Sequence, residues 1–183
     1  MRLPFQRGQM KRLLTGVLLA LPSFAGDPWR TLPQLTQQDA TRILTSSPWA
    51  KPDGRIKAIV RWDSARPVQL AIQRLNGNPT IADHESSYVI AVVGLTVPER
   101  SPKPEAYLRA TGRNPIPSIE TRILDNAICF FFPRTGLLQP IGFRFPLGPK
   151  LGNDVEFAAR IGTLDVKRKF SLNRMTYLGK LEM

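Results

Sequence analysis

Residues 154–171 read Asp-Val-Glu-Phe-Ala-Ala-Arg-Ile-Gly-Thr-Leu-Asp-Val-Lys-Arg-Lys-Phe-Ser, and their alternation decides the fold class. Val155, Phe157 and Ala159 alternate with Glu156, Ala158 and Arg160. After Gly162, Leu164, Val166, Arg168 and Phe170 alternate with Asp165, Lys167 and Lys169. A period of two sends successive side chains to opposite faces of a strand. Two such runs around a glycine turn make a hairpin, and hairpins build antiparallel sheets with one wet face. Tyr177 to Glu182 reads as a last strand.

Upstream, Ala127 to Phe132 (Ala-Ile-Cys-Phe-Phe-Phe) is a buried strand, entered from the weakly alternating Ile119 to Leu124 through Asp125-Asn126. Tyr88 to Thr96 is another apolar, β-branched run, buried on both faces. Arg55 to Trp62 alternates, with Ile56, Ala58, Val60 and Trp62 facing one way. Gly142 to Pro146 reads as a short edge strand, followed by a loop to Asn153. Pro98 to Pro117 is rich in proline and charge, an excursion around a short helix expected at Glu105 to Thr111.

Two helices are expected in the N-terminal half. Thr36 with Asp39 three residues on is a capping pattern. Ala40, Ile43 and Leu44 then share a face, and Ser46-Ser47-Pro48 ends the helix near Thr45. The second run fits a strand through Val68, Leu70 and Ile72. It fits a helix through Val68, Ala71, Ile72 and Leu75 better, with Ser64 as cap, Pro67 in the first turn and Asn76-Gly77 as the stop. The expected architecture is α+β: a mostly antiparallel sheet of about six or seven strands with two helices. A β-sandwich with a helical N-terminal extension is the alternative.

The first 25 residues have the parts of a signal peptide. Arg2, Arg7, Lys11 and Arg12 precede an apolar run from Leu13 to Leu21, and Ser23-Phe24-Ala25 sets small residues at the two positions a signal peptidase reads. Cleavage is expected before Gly26, leaving residues 26–183 as a single mature domain. Met10 opens a compact leader of its own, so translation starts at Met1 or Met10. The apolar run of nine residues is too short to span a bilayer. No cysteine near the cut suggests a lipid anchor. The expected location is the periplasm or the extracellular space.

The chain carries a formal +12. Four of its 26 basic residues and none of its 14 acids precede residue 26, which leaves +8 on the mature domain. That balance suits an anionic envelope polymer, an acidic protein or lipid headgroups. Export makes nucleic acid a poor partner, and no stacking motif for it is visible. Cys129 is the sole cysteine, so no internal disulfide forms, and its apolar neighbours mark it as core.

Catalytic patterns are sparse. His84, the sole histidine, sits in the polar run Asp83-His84-Glu85-Ser86 without distant partners to make a metal site or triad. No Gly-x-Ser-x-Gly elbow and no phosphate-binding loop occurs. No cofactor is implied. Two distant acids could still act together, with Asp53, Asp63, Glu120, Asp125, Asp154 and Glu156 as candidates. The most suggestive surface feature is basic: Arg160, Lys167, Lys169, Arg174 and Lys180, with Lys167 and Lys169 on one strand face. It suits an anionic partner, or it is a solvated sheet face whose lysines deter edge pairing. Trp29, Trp49 and Trp62 read as indoles pinning the first helix to the sheet, with Trp49 also placed to anchor a partner.

The mature chain resembles an uncharacterised family of small exported bacterial proteins. The elements that carry the likeness are Ser-Pro-Trp-Ala-Lys at Ser47 to Lys51, Arg-Trp-Asp-Ser at Arg61 to Ser64, Phe-Pro-Arg at Phe132 to Arg134, and Lys-Phe-x-Leu-x-x-Met-x-Tyr-x-Gly-Lys-Leu-Glu at Lys169 to Glu182. The resemblance implies export and a shared fold, and it transfers no catalytic residue. The expected function is a non-enzymatic envelope or periplasmic protein that binds or scaffolds a partner. A carboxylate-based envelope hydrolase is the alternative. A subunit of a larger assembly is a third reading, with an exposed apolar strip on the sheet as its mark.

Overall fold

Thr36 caps the first described helix. The computed structural model describes residues 35–77, 87–95, 97, 101–110, 113–134 and 154–183. The readings for the leader, Trp29, the His84 loop and the Gly142–Asn153 stretch lie outside these residues.

Helix α1 (Gln37–Thr45) starts on a reciprocal cap. Thr36 Oγ1 accepts the Asp39 amide at 3.1 Å, and Asp39 Oδ2 accepts the Thr36 amide at 3.3 Å. Both bonds satisfy donors that a helix start leaves orphaned. Ala40, Ile43 and Leu44 form the buried stripe. At the far end Ser47 Oγ donates to the Ile43 carbonyl at 2.7 Å and accepts the Trp49 amide at 3.2 Å, so the chain turns under its own serine. Thr36→Ala is expected to cost about 1 kcal/mol, read as a lower urea midpoint with unchanged slope.

Helix α2 (Arg66–Asn76) packs on α1 and buries Val68, Ala71 and Ile72. Pro67 sits in its first turn, and Gly77 ends it at φ +82°. Ser64 is not its cap. That position belongs to Ala65, while the Ser64 hydroxyl accepts the Val89 amide at 3.1 Å and ties the helix start to a strand.

The strands are β1 (Ala50–Asp53), β2 (Ala58–Trp62), β3 (Ser87–Val93), β4 (Glu105–Ala110), β5 (Ile116–Pro117), β6 (Glu120–Leu124), β7 (Ala127–Pro133), β8 (Asp154–Ile161), β9 (Leu164–Ser171), β10 (Thr176–Tyr177) and β11 (Lys180–Leu181). All the pairings between them are antiparallel. The fold is α+β, with its helices in the N-terminal half. The strands divide between a five-stranded sheet, ordered β1-β2-β3-β7-β6, and a four-stranded sheet, ordered β5-β4-β8-β9; β10 and β11 form a separate ribbon.

Three local expectations need correction. Glu105 to Ala110 is a strand, not a helix. Its residues are good helix formers one by one, but pairing with β8 buries Ala106 and Leu108 on alternate positions, and tertiary burial outweighs local propensity. Residues 54–57 turn the chain, so the strand expected from Arg55 begins at Ala58 and pairs with β1, a strand the sequence hides behind Pro52. The single last strand is instead a tight hairpin, with Leu178 and Gly179 at φ +49° and +75°. Two successive left-handed residues are what a two-residue hairpin turn requires.

The sheets share one core. Phe157 of β8 lies with its ring centroid 5.7 Å from Phe130 and 6.3 Å from Phe132, both on β7. Trp62 meets Tyr88 and Phe170 edge-on, each at 5.8 Å. Trp49 is fully buried beside the α1 exit, and its Nε1–H donates to the Glu182 carbonyl at 2.7 Å. The chain changes sheets across one peptide. The Ser118 amide bonds to Ala106 of β4, and the next amide, Ile119, bonds to Phe131 of β7. On the other face of the five-stranded sheet, Val89, Ala91, Cys129 and Phe131 form a second buried cluster. Burial, with the Asp63 carboxylate adding to it, pushes the Cys129 thiol up to about 12, as suits a core residue.

Candidate functional site

The outward face of the four-stranded sheet carries the candidate site. Antiparallel register fixes which side chains stand abreast there. One row runs Pro117, Tyr107, Ala158, Lys167. The row on one side is Glu105, Arg160, Asp165, and on the other Arg109, Glu156, Lys169. Ala158 is the small residue in the middle of this lattice. Its methyl leaves a hollow between Tyr107 and Lys167, part of a groove of about 510 Å³ that Glu105, Arg160 and Asp165 also line.

The charges are interleaved. Arg160 Nε lies 3.3 Å from Asp165 Oδ1, with both side chains mostly in solvent. The Arg109 guanidinium lies 5.6 Å from the centroid of the Tyr107 ring. Four cations and three acids thus share the face, with Lys167 beside the hollow.

Of the five basic residues expected to act together, Arg160, Lys167 and Lys169 share this face. Arg174 and Lys180 do not belong to its rows. Arg174 follows β9 in a 3₁₀ turn, Leu172–Arg174, and Lys180 lies on β11. Burial lowers the Lys51 pKa, and the nearby positive charge of Arg174 lowers it further, so these two cations form a separate locus. Tyr107, Arg109 and Glu105 were invisible as site residues while their segment read as a helix. The available signal was the alternation of Ala106 and Leu108 against them.

Of the six candidate acids, Glu156 lies on this face between Arg109 and Lys169, while Asp53, Asp63 and Glu120 are engaged elsewhere. Asp63 is paired with Arg61, Nη2 to Oδ2 at 3.0 Å, and Glu120 with Arg122, Nη2 to Oε2 at 3.2 Å. Asp53 is buried. Its Oδ1 accepts the Arg55 amide at 3.0 Å, and Arg168 Nη2 lies 2.7 Å from Oδ2. That second contact is a close ion pair without an N–H aimed along it. The Arg168 Nε–H and Nη1–H donate to the Pro52 and Lys167 carbonyls. Burial disfavours the Asp53 charge, but the Arg55 amide and the Arg168 and Arg55 guanidinia outweigh it and hold the carboxyl below its ordinary range. Asp53 therefore joins the two sheets. In the groove, Glu105 and Asp165 stand on strands two apart with Arg160 between them, as rungs of a charge ladder.

The Ser-Pro-Trp-Ala-Lys, Arg-Trp-Asp-Ser, Phe-Pro-Arg and C-terminal elements are fasteners in this structure. Ser47 and Trp49 close α1 onto Glu182, and Arg61 and Asp63 form a mostly buried pair. Arg134 lies over the Tyr88 ring at 5.1 Å and donates to the Ser87 carbonyl at 3.3 Å. Tyr177 is buried. Among the described residues no group of three or more His, Cys, Asp or Glu could hold a metal ion, and no helix is long and apolar enough to cross a membrane. No family model, no curated protein and no solved structure matches the chain.

Proposed function

We propose that this chain is an exported, non-enzymatic binding domain that takes an anionic envelope polymer or acidic protein segment on the outward face of its four-stranded sheet. The supporting observation is the hollow over Ala158, where the Tyr107 ring stands opposite Lys167, with Arg160 alongside. An aromatic wall offers flat apolar contact, and the two cations offer charge to carboxylate, sulfate or phosphate groups. The acids between the cations space that charge at strand intervals, so the face favours a ligand whose negative groups are spaced too. The leader at residues 1–25 and the +8 left after its removal agree with an envelope partner.

The mature domain is expected to be retained on heparin and to elute above about 0.15 M salt, where exposed charges are screened beyond roughly 8 Å. Lys167→Glu with Lys169→Glu is expected to bring elution below that point. Early elution of the unaltered protein overturns the polyanion reading. Export is tested separately, by finding Gly26 as the N-terminus of the protein recovered from the envelope fraction.

A further inference from the structure

We infer that two copies of this chain pair antiparallel along β6, about a twofold axis at Thr121, joining their five-stranded sheets into one of ten strands. Open sheet edges recruit other strands unless they are guarded. Three of the four described edges of the two larger sheets are guarded. β5 is two residues long and contains Pro117. β9 carries the run Lys167-Arg168-Lys169. β1 contains Pro52, whose carbonyl already accepts a bond from Arg168. The fourth edge, β6, has no proline and no run of like charge, since its Glu120 and Arg122 neutralise each other, and no described strand pairs with its far side. It also displays apolar surface, with Ile119 and Ile123 exposed by 65% and 54%.

The edge is complementary to itself. Residues 119–123 read Ile-Glu-Thr-Arg-Ile. A twofold axis through Thr121 sets Ile119 opposite Ile123 of the second copy, Glu120 opposite Arg122, and Thr121 opposite Thr121. Each of these is a favourable cross-strand pair. Shifting the axis to the next position that keeps the faces aligned sets Glu120 against Glu120, or Arg122 against Arg122, so like charges select the register.

The backbone agrees. Leu124 and Ala127 close a two-residue turn at Asp125-Asn126, which makes them a hydrogen-bonded pair. Alternation from that pair turns the amides and carbonyls of Thr121 and Ile123 to the open edge. The Ile119 amide is already committed to Phe131 at 2.8 Å, but its carbonyl remains an acceptor for Ile123. Four backbone bonds therefore form across the axis. Glu120 and Arg122 of opposite copies fall at the closer, non-hydrogen-bonded positions, where side chains meet best. An isologous contact of this kind closes after two copies.

Sedimentation velocity on the full chain tests this, at concentrations from about 1 to 100 μM. A dimer is expected at the upper end. Thr121→Pro removes an edge-facing amide, which an edge strand tolerates, and is expected to leave a monomer with an unchanged circular dichroism spectrum. Arg122→Glu is expected to weaken the dimer by roughly tenfold or more. Exchanging both charges, Glu120→Arg with Arg122→Glu, is expected to restore it. A monomer throughout the range overturns the inference. So does a dimer that Thr121→Pro leaves intact, or one that Arg122→Glu leaves at full strength.

Discussion

Phe157→Ala is expected to remove about 3–5 kcal/mol of unfolding free energy. Phe157 is fully buried, and its ring lies within reach of Phe130 and Phe132 from the opposite sheet. Truncation loses the transfer energy of the ring and leaves a cavity between two sheets whose backbones are held by their own ladders. Such a cavity cannot collapse far. A domain of this size has about 5–15 kcal/mol in total, so the melting temperature is expected to fall by roughly 10 °C. Leu164→Ala is the control. Leu164 is in the same hairpin, is 38% exposed, and is expected to shift stability by about 0.5 kcal/mol or less. A Phe157→Ala effect no larger than that of Leu164→Ala would show that the two sheets do not share a core.

Arg168→Ala is the second large effect, about 3 kcal/mol at the lower end of the range for breaking a buried pair. It strands the Asp53 carboxylate, whose side chain has no exposed surface. Arg168 is itself 22% exposed, so Asp53→Ala, which leaves the cation able to reach water, is expected to cost less. The double variant is expected to cost less than the two singles summed, because each single already breaks the same pair. The pair also has a pH signature. Asp53 is held below its ordinary value of 3.8, so the unfolded chain takes up the proton first as pH falls. The stabilisation is therefore fully present well above 3.8 and is lost as pH drops through the folded-state value. Urea midpoints between about pH 2 and 6 are expected to fall less steeply in Asp53→Asn than in the unaltered protein. Identical slopes would remove Asp53 from the acid response.

Much of this was legible in the sequence where local chemistry and tertiary environment agree. Thr36 and Asp39 cap a helix with no help from elsewhere. The β8–β9 hairpin alternates because one of its faces is buried, and its Gly162 turn has φ +59°. Where environment overrides local preference, the reading failed. Glu105 to Ala110 contains good helix formers, and only its register with β8 makes it a strand. The candidate site inherited that failure. Lys167 and Lys169 were visible as one face of one strand, whereas Tyr107 and Arg109 join them only through a pairing between distant segments. Arg168 is the subtler case. Alternation placed it on the inward face, and the reason for a charge there is a carboxylate on β1 that spacing cannot reveal.

The bond from Trp49 to Glu182 has a consequence for the timing of synthesis. Its two ends are 133 residues apart. The sheets are interleaved in the same sense. β3 waits for β7, and β4 waits for β8, so neither layer is made from one continuous stretch. Contacts of such long range form slowly. A ribosome must therefore make the 133 residues that follow Trp49 before that indole can be sealed in place. A chain whose early elements wait this long for their partners stays threadable, which is the condition the proposed export demands of it.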